Sequence, residues 1–531
     1  MYKNKFLVLM ALFLASCGAN QTTKPTMIAT SAPTDIQNGP YSVSMYGYDE
    51  AGPSANIAVL LPMSGPTKNI GNGIKTSVET AMLRKPQENI RVSFFDVSGD
   101  KSHRDLIIRD ALNTNPDIII GPLFAEDVNT LRNIKPAKTP VLSFTSDITA
   151  LGNNVTTMNL IPNQSIETIV QQMQNDGAKN MLVLAPDDNS GKLMASTAVK
   201  ISRAYNIPIK GLFYYTSNNS ESIKDVAMRA SMYKTRSAAN TRAREVLSDI
   251  LNRESLDSAT RSNLRKQLEK LSRTETLGTL PYDAILFLGS GLDAKTIASF
   301  LRYYGVSNND AGFYGTTLWH GSDIASDFTL AGAKYATLPP ISDNFIALYN
   351  MMGGRDPDFL DAFGYDAANL SLGILYTNKD RDAYMFDPSG FIGTTGMFRI
   401  QPSGESERAL RVMQLDGSGT VATIKDAPTN FSVPLYNINT SGLNTVPEQE
   451  LNTRGINPGD YIKIPENLRY KSQYRTKTIG ANYIADSETV TFGTPVQVYE
   501  DDGEHITNEE YESAKPETVS RKYIDSVEIT E

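Results

Sequence analysis

The chain has 531 residues, 40% of them hydrophobic and 21% charged, a balance that suits one large or two medium globular domains. Its net charge of −9 argues against nucleic acid as a partner. With three histidines (His103, His320 and His505) and a single cysteine, neither a His-built metal site nor an internal disulfide is expected.

The first element is an export signal. Lys3 and Lys5 precede an uncharged apolar run at 6–15, followed by Leu14-Ala15-Ser16-Cys17. A basic end, a short apolar core and small residues at the cut define a secretory signal at 1–16. The run is about ten residues, whereas a bilayer span needs roughly 20. Leu-Ala-Ser-Cys resembles the bacterial lipobox, which implies lipidation of Cys17 and cleavage before it. Gly18 stands where an Asp would signal inner-membrane retention, so the expected location is the outer membrane, facing the periplasm. Removing Lys3 and Lys5 with the signal takes the mature chain from −9 to −11. Residues 17–54 comprise the lipidated Cys and a flexible tether rich in Thr, Ser, Pro, Gly and Asn, which as a random coil reaches roughly 30–40 Å.

From residue 55 the pattern alternates. Apolar strands are expected at 57–61, 92–95, 118–120 and 140–144, with helices at 70–84, 103–112 and 125–134 between them. The alternation restarts with helices at 164–175, 192–204 and 293–304, and strands at 180–185, 209–215, 284–288 and 312–315. Apolar strands separated by helices indicate parallel sheets covered on both faces. The fold class is therefore α/β in two lobes, each a mostly parallel sheet flanked by helices. Lobe 1 is assigned to about 55–160 and 318–378, and lobe 2 to about 161–317 and 379–425. Between 219 and 274 the chain is charged, Pro-free and helical, with Val246, Ile250, Leu251, Leu264, Leu268 and Leu271 at helical spacing. This reads as a helical insertion in lobe 2, either a docking arm or a solvated helical pair. Residues 426–531 are polar and acidic, with Glu500-Asp501-Asp502 and Glu509-Glu510, and read as a partly disordered tail.

In open α/β sheets, ligands sit outside the carboxyl ends of the strands. Those ends carry Leu61-Pro62-Met63-Ser64-Gly65-Pro66, Ile120-Gly121-Pro122-Leu123 and Ser143-Phe144-Thr145-Ser146-Asp147. With Phe363-Gly364-Tyr365-Asp366-Ala367-Ala368 they resemble the type I periplasmic-binding-protein fold of leucine-binding receptors over roughly 55–425. The resemblance implies a cleft, with candidates Ser64, Gly65, Gly121, Pro122, Ser143, Thr145, Ser146, Tyr365 and Asp366. Trp319 joins them, placed either to stack a ligand or to pack at the hinge. Asp366 is placed either to hold an amine or to pair inside its lobe.

A narrower resemblance is to the lipoprotein activators of penicillin-binding proteins (LpoA-like). It rests on Gly121-Pro122-Leu123, Tyr282-Asp283-Ala284-Ile285-Leu286-Phe287 after the helical insertion, Phe363-Gly364-Tyr365-Asp366-Ala367, and residues 391–400 leading into Arg408-Ala409-Leu410-Arg411-Val412. Better-known members carry a helical-repeat domain ahead of this one, where a tether stands here. Phe124-Ala125 occupy a place where amino-acid receptors put Ser or Thr, which favours an activator over a transport receptor. The resemblance implies a non-enzymatic outer-membrane lipoprotein that binds and activates a peptidoglycan synthase, a class A penicillin-binding protein, without cofactor or metal. The alternative is a solute-binding receptor for an amino acid or other small ligand, feeding an ABC importer.

Enzymatic motifs are incomplete. Gly289-Ser290-Gly291 lacks the G-x-S-x-G elbow. Asn189-Ser190-Gly191-Lys192 lacks the phosphate-loop spacing, and Gly71-Asn72-Gly73 lacks the third Gly of a dinucleotide fingerprint.

Overall fold

A computed structural model describes residues 55–84, 90–253, 255–353, 355–431, 445–453, 456–465 and 468. The signal, Cys17 and the tether lie outside the described residues.

The first sheet contains β1 (Ala55–Leu61), β2 (Ile90–Asp96), β3 (Ile118–Ile120), β4 (Val141–Ser143) and β5 (Val155–Thr157). All pairs are parallel, in the order β2-β1-β3-β4-β5. Ile57 to Leu61 are buried without a break, because a parallel strand faces helices on both sides. Helix α1 (Lys68–Arg84) covers one face with Ile74, Val78 and Met82, while α2 (Lys101–Asn113) and α3 (Ala125–Ile134) cover the other. Glu126 and Asp127 in the first turn of α3 complement its helix dipole. Strand β5 escapes the hydropathy pattern because two of its three residues are threonines.

The second sheet begins after α4 (Pro162–Asn175). It takes in β6 (Met181–Pro186), α5 (Asn189–Ala204), β7 (Ile209–Tyr215), α6 (Ser220–Ala230), α7 (Tyr233–Arg253), α8 (Ser258–Ser272), β8 (Ala284–Phe287), α9 (Gly291–Tyr303), β9 (Gly312–Gly315) and β10 (Lys334–Thr337). The chain then returns to the first lobe with α10 (Asp343–Gly353), α11 (Phe359–Tyr376), α12 (Arg381–Met385) and a small sheet of β11 (Phe391–Gly393), β12 (Gly396–Ile400) and β13 (Ser406–Arg408). Finally β14 (Arg411–Leu415) and β15 (Val421–Lys425) complete the second sheet, whose order is β15-β14-β10-β9-β8-β6-β7. β14 and β15 are its antiparallel members.

Three boundaries differ from the sequence reading. β10 falls within 318–378, assigned above to lobe 1, yet it pairs with β9 and β14 in the second sheet. Conversely, Phe398 and Ile400, assigned to lobe 2, pack in the first-lobe core with α1 and α11. Helix α6 is not part of the insertion. Its Ile223, Val226 and Ala227 enter the second-lobe core beside α9, so the projecting arm is α7 and α8 alone.

Beyond residue 425 the described part is not loosely attached. Gln449 exchanges backbone hydrogen bonds with Leu212 on the edge strand β7, at 2.8 and 2.9 Å. Arg229 binds Glu448 at 2.9 Å and also pairs with Glu450. Ile462, Ile464 and Leu468 pack against Leu247, Ile250 and Leu264 of the arm. A few apolar anchors suffice to dock this polar strap, and average composition hides them. The acidic clusters Glu500-Asp501-Asp502 and Glu509-Glu510 lie outside the described residues. Among the described residues no helix is long and apolar enough to cross a membrane.

Candidate functional site

The lobes are joined by three passages, at 158–161, 338–342 and 409–410. The first two leave the carboxyl ends of β5 and β10. The third enters β14 at Arg411, which lies opposite Thr337 at the end of β10. The carboxyl ends of both parallel sheets therefore face the junction, where this architecture places a ligand or a partner.

Arg408 sits inside the junction with a fully buried side chain. Its Nε and Nη2 donate to the Met158 carbonyl oxygen at 3.1 and 2.6 Å, and Nη1 donates to Thr395 Oγ1 at 3.4 Å. The guanidinium lies 3.8 Å from the Phe363 ring centroid and 4.9 Å from that of Phe398. Its backbone N–H donates to Gln164 Oε1 at 3.0 Å, and Gln164 Nε2 donates to the Ser406 carbonyl. One residue thus ties the first passage, the third passage and the start of α4. A planar, permanently charged fork suits carbonyls that no strand or helix satisfies.

Asp366 supplies the counter-charge, with Oδ2 3.7 Å from Arg408 Nη1 and Oδ1 accepting the Thr394 N–H at 2.8 Å. Burial pushes the Asp366 carboxyl up, against the pull of Arg408 and Thr394. Burial likewise pushes Arg408 down to about 10, opposed by Asp366. A side chain at Gly393 would collide with the Asp366 carboxylate, which explains the glycine there.

The other candidates separate into two groups. Ser143 Oγ donates to the Thr156 carbonyl at 2.7 Å, and Thr145 Oγ1 accepts the Asp147 N–H at 3.1 Å, so both buried hydroxyls are used within the lobe. Gly121 and Pro122 are buried. Gly121 has φ +91°, and a side chain there would collide with the Leu60 carbonyl, so this pair positions β3 against β1. The Tyr365 hydroxyl accepts from Arg84 Nη1 at 3.0 Å and its ring packs on Phe345. The ligand-facing reading of Trp319 does not hold: it is 1% exposed, between Phe287 and Tyr335 in the second-lobe core. Asp366 likewise takes the within-lobe option. Ser64, Gly65 and Ser146 remain exposed. The Ser64 loop is held from below by Asp96, which accepts the Met63 N–H at 2.8 Å. Burial raises the Asp96 carboxyl, but hydrogen bonds from Ser98, Ser64 and Met63 outweigh it and leave it below its ordinary value.

Around these sit exposed apolar side chains. Phe124 precedes α3, Leu193 lies at the start of the second turn of α5, Leu292 in the first turn of α9, and Leu318 follows β9. Two helix starts of the second lobe, those of α5 and α9, are capped from within. Asp188 accepts the Gly191 N–H at 2.7 Å, and Ser290 Oγ accepts the Asp293 N–H at 3.2 Å. The incomplete phosphate-loop and elbow motifs are thus ordinary helix openings. His320 stacks on Phe359 across the junction, with ring centroids 4.6 Å apart. The residue is exposed, but desolvation of the ring where it stacks on Phe359, with Arg411 nearby, holds its imidazole below its ordinary value. Arg408 belongs to a segment that carries the family resemblance, but neither its buried bonding nor this stack is identifiable from motif content, since each partner comes from a distant element.

Fold and junction together define a two-lobed, type I periplasmic-binding-protein-like domain. A structure titled "putative branched-chain amino acid ABC transporter from Rhodospirillum rubrum" has the same fold, with a TM-score of 0.53 and 16% identity over 70% of this chain and 99% of that one. Residues 44–204 match the family described as "LppC putative lipoprotein". In sequence the chain resembles the penicillin-binding protein activator LpoA. It is 26% identical to that of Pasteurella multocida over 189 residues, 33% of this chain and 32% of the relative. It is 24% identical to that of Haemophilus ducreyi over 376 residues, 69% of this chain and 54% of the relative. The alignments thus span about a third to a half of these relatives.

Proposed function

We propose that the chain is a non-catalytic lipoprotein, held at the outer membrane through Cys17 and the tether to residue 54, that binds and activates a class A penicillin-binding protein. One observation carries the reading. At the junction, the Ser143 and Thr145 hydroxyls and Asp366 Oδ1 are spent on internal hydrogen bonds and Asp366 Oδ2 faces Arg408, while Phe124, Leu193, Leu292 and Leu318 are exposed at the starts of the elements that follow the strands. An apolar rim over a rigid frame suits a protein partner better than a zwitterion, and apolar anchors dominate such contacts. The relatives named as penicillin-binding protein activators support the same direction. Activation would follow from binding the synthase's active state more tightly than its resting state.

The receptor reading keeps one supporting observation, the exposed Ser64, Gly65 and Ser146 on the first-lobe rim. Calorimetry separates the two. The chain from residue 18, titrated into a class A synthase, is expected to give saturable binding. Branched-chain amino acids are expected to give no heat above dilution. The opposite pair of results establishes the receptor instead.

A further inference from the structure

The arm formed by α7 and α8 has a charge unlike the rest of the chain. Residues 233–273 contain ten Lys and Arg against five Asp and Glu, in a protein of net charge −9. Its apolar seam faces inward and is closed by Ile462, Ile464 and Leu468 of the strap. Between the two helices lies a groove of about 630 Å³ lined by Arg244, Arg265 and Leu268, with Glu245 and Glu269 also in its lining; the net positive charge belongs to the arm as a whole. Arg244, Arg265, Lys266 and Lys270 are exposed and form no ion pair among the described residues.

The strap brings the chain onto this arm at Leu468. Further along, residues 486–512 contain nine Asp and Glu and no Lys or Arg. The 17 residues between them can span at most about 56–61 Å when fully extended. Helix α7, with 21 residues, is about 32 Å long. The acidic segment is therefore within reach of the groove, and its attachment to the arm makes docking an intramolecular event. We propose that the α7–α8 arm is a docking surface for acidic peptide, and that residues 486–512 of the same chain are its occupant. Charge complementarity selects this occupant, and the attachment point delivers it. The proposal is independent of the activator reading.

The test uses the full chain and a zero-length carbodiimide cross-linker, which joins carboxylates to lysine amines, with peptide mapping. Carboxylates of 486–512 are expected on Lys266 and Lys270 about tenfold more often than on the exposed Lys138 and Lys224, with the excess lost at high salt. The double variant Arg244→Glu, Arg265→Glu keeps both reporter lysines and is expected to lose about tenfold of the yield. Equal linkage to all four lysines, or a yield indifferent to salt, overturns the proposal. Links found only between differently isotope-labelled copies overturn the intrachain occupant and assign the groove to a second copy. The wild-type pattern decides the matter even if the variant fails to fold.

Discussion

Arg408 donates two hydrogen bonds to the Met158 carbonyl, 250 residues away in sequence, and in doing so fastens the last passage between the lobes to the first. Arg408→Met removes both bonds and leaves Asp366 buried without its cation. Losing one partner of a buried pair costs about 3–5 kcal/mol. Arg408→Lys is not expected to rescue, because an ammonium cannot hold Met158, Thr395 and two ring faces together. Urea unfolding midpoints check both, and a loss under about 1 kcal/mol for Arg408→Met counts against this frame.

The strap gives a second expectation. Ile462→Ala and Ile464→Ala remove buried contacts with the arm, each at about 2 kcal/mol for local docking. Limited proteolysis is expected to cut the strap in the double variant well before the lobes. Unchanged cleavage would mean that Gln449 and the Arg229 pairs hold the strap alone.

His320 gives a pH dependence. Its folded pKa is depressed, so the unfolded chain binds this proton more readily than the native one. The sign follows: stability is lost as pH falls below about 6.5 toward the lower folded value. His320→Phe keeps a ring against Phe359 but cannot charge. The variant is expected to lose less stability than wild type between pH 7.5 and 5.5, measured by urea midpoints. An identical slope would show that His320 carries none of the acid sensitivity.

Much of this was legible in the sequence, and the limits have physical causes. Parallel strands buried on both faces, such as Ile118–Ile120, appear as apolar runs whose boundaries match to within a few residues. Strand β10 (KYAT) has no such run, and its membership depends on pairing with β9 and β14, far along the chain. The site was less legible. Hydroxyls at strand ends mark where a ligand can bind, but the sequence is silent on whether Ser143 and Thr145 are spent on Thr156 and Asp147. Trp319 shows the same limit, since an aromatic beside a hinge and one inside a core have the same local sequence.

The apolar rim leads to a fourth expectation. Phe124→Ser and Leu292→Lys change exposed positions, so folding stability should move by no more than about 0.5 kcal/mol. Binding to the synthase is expected to weaken severalfold in the double variant. Unaltered calorimetric affinity would place the contact elsewhere on the chain.

The central claim is activation, and one assay reaches it directly. The chain from residue 18 is added to the organism's own class A synthase with lipid II, and glycan polymerisation and cross-linking are followed over time. A saturable rise in either rate, reduced by the Phe124→Ser, Leu292→Lys variant, is the predicted result. Unchanged rates with every class A synthase of the organism would contradict it.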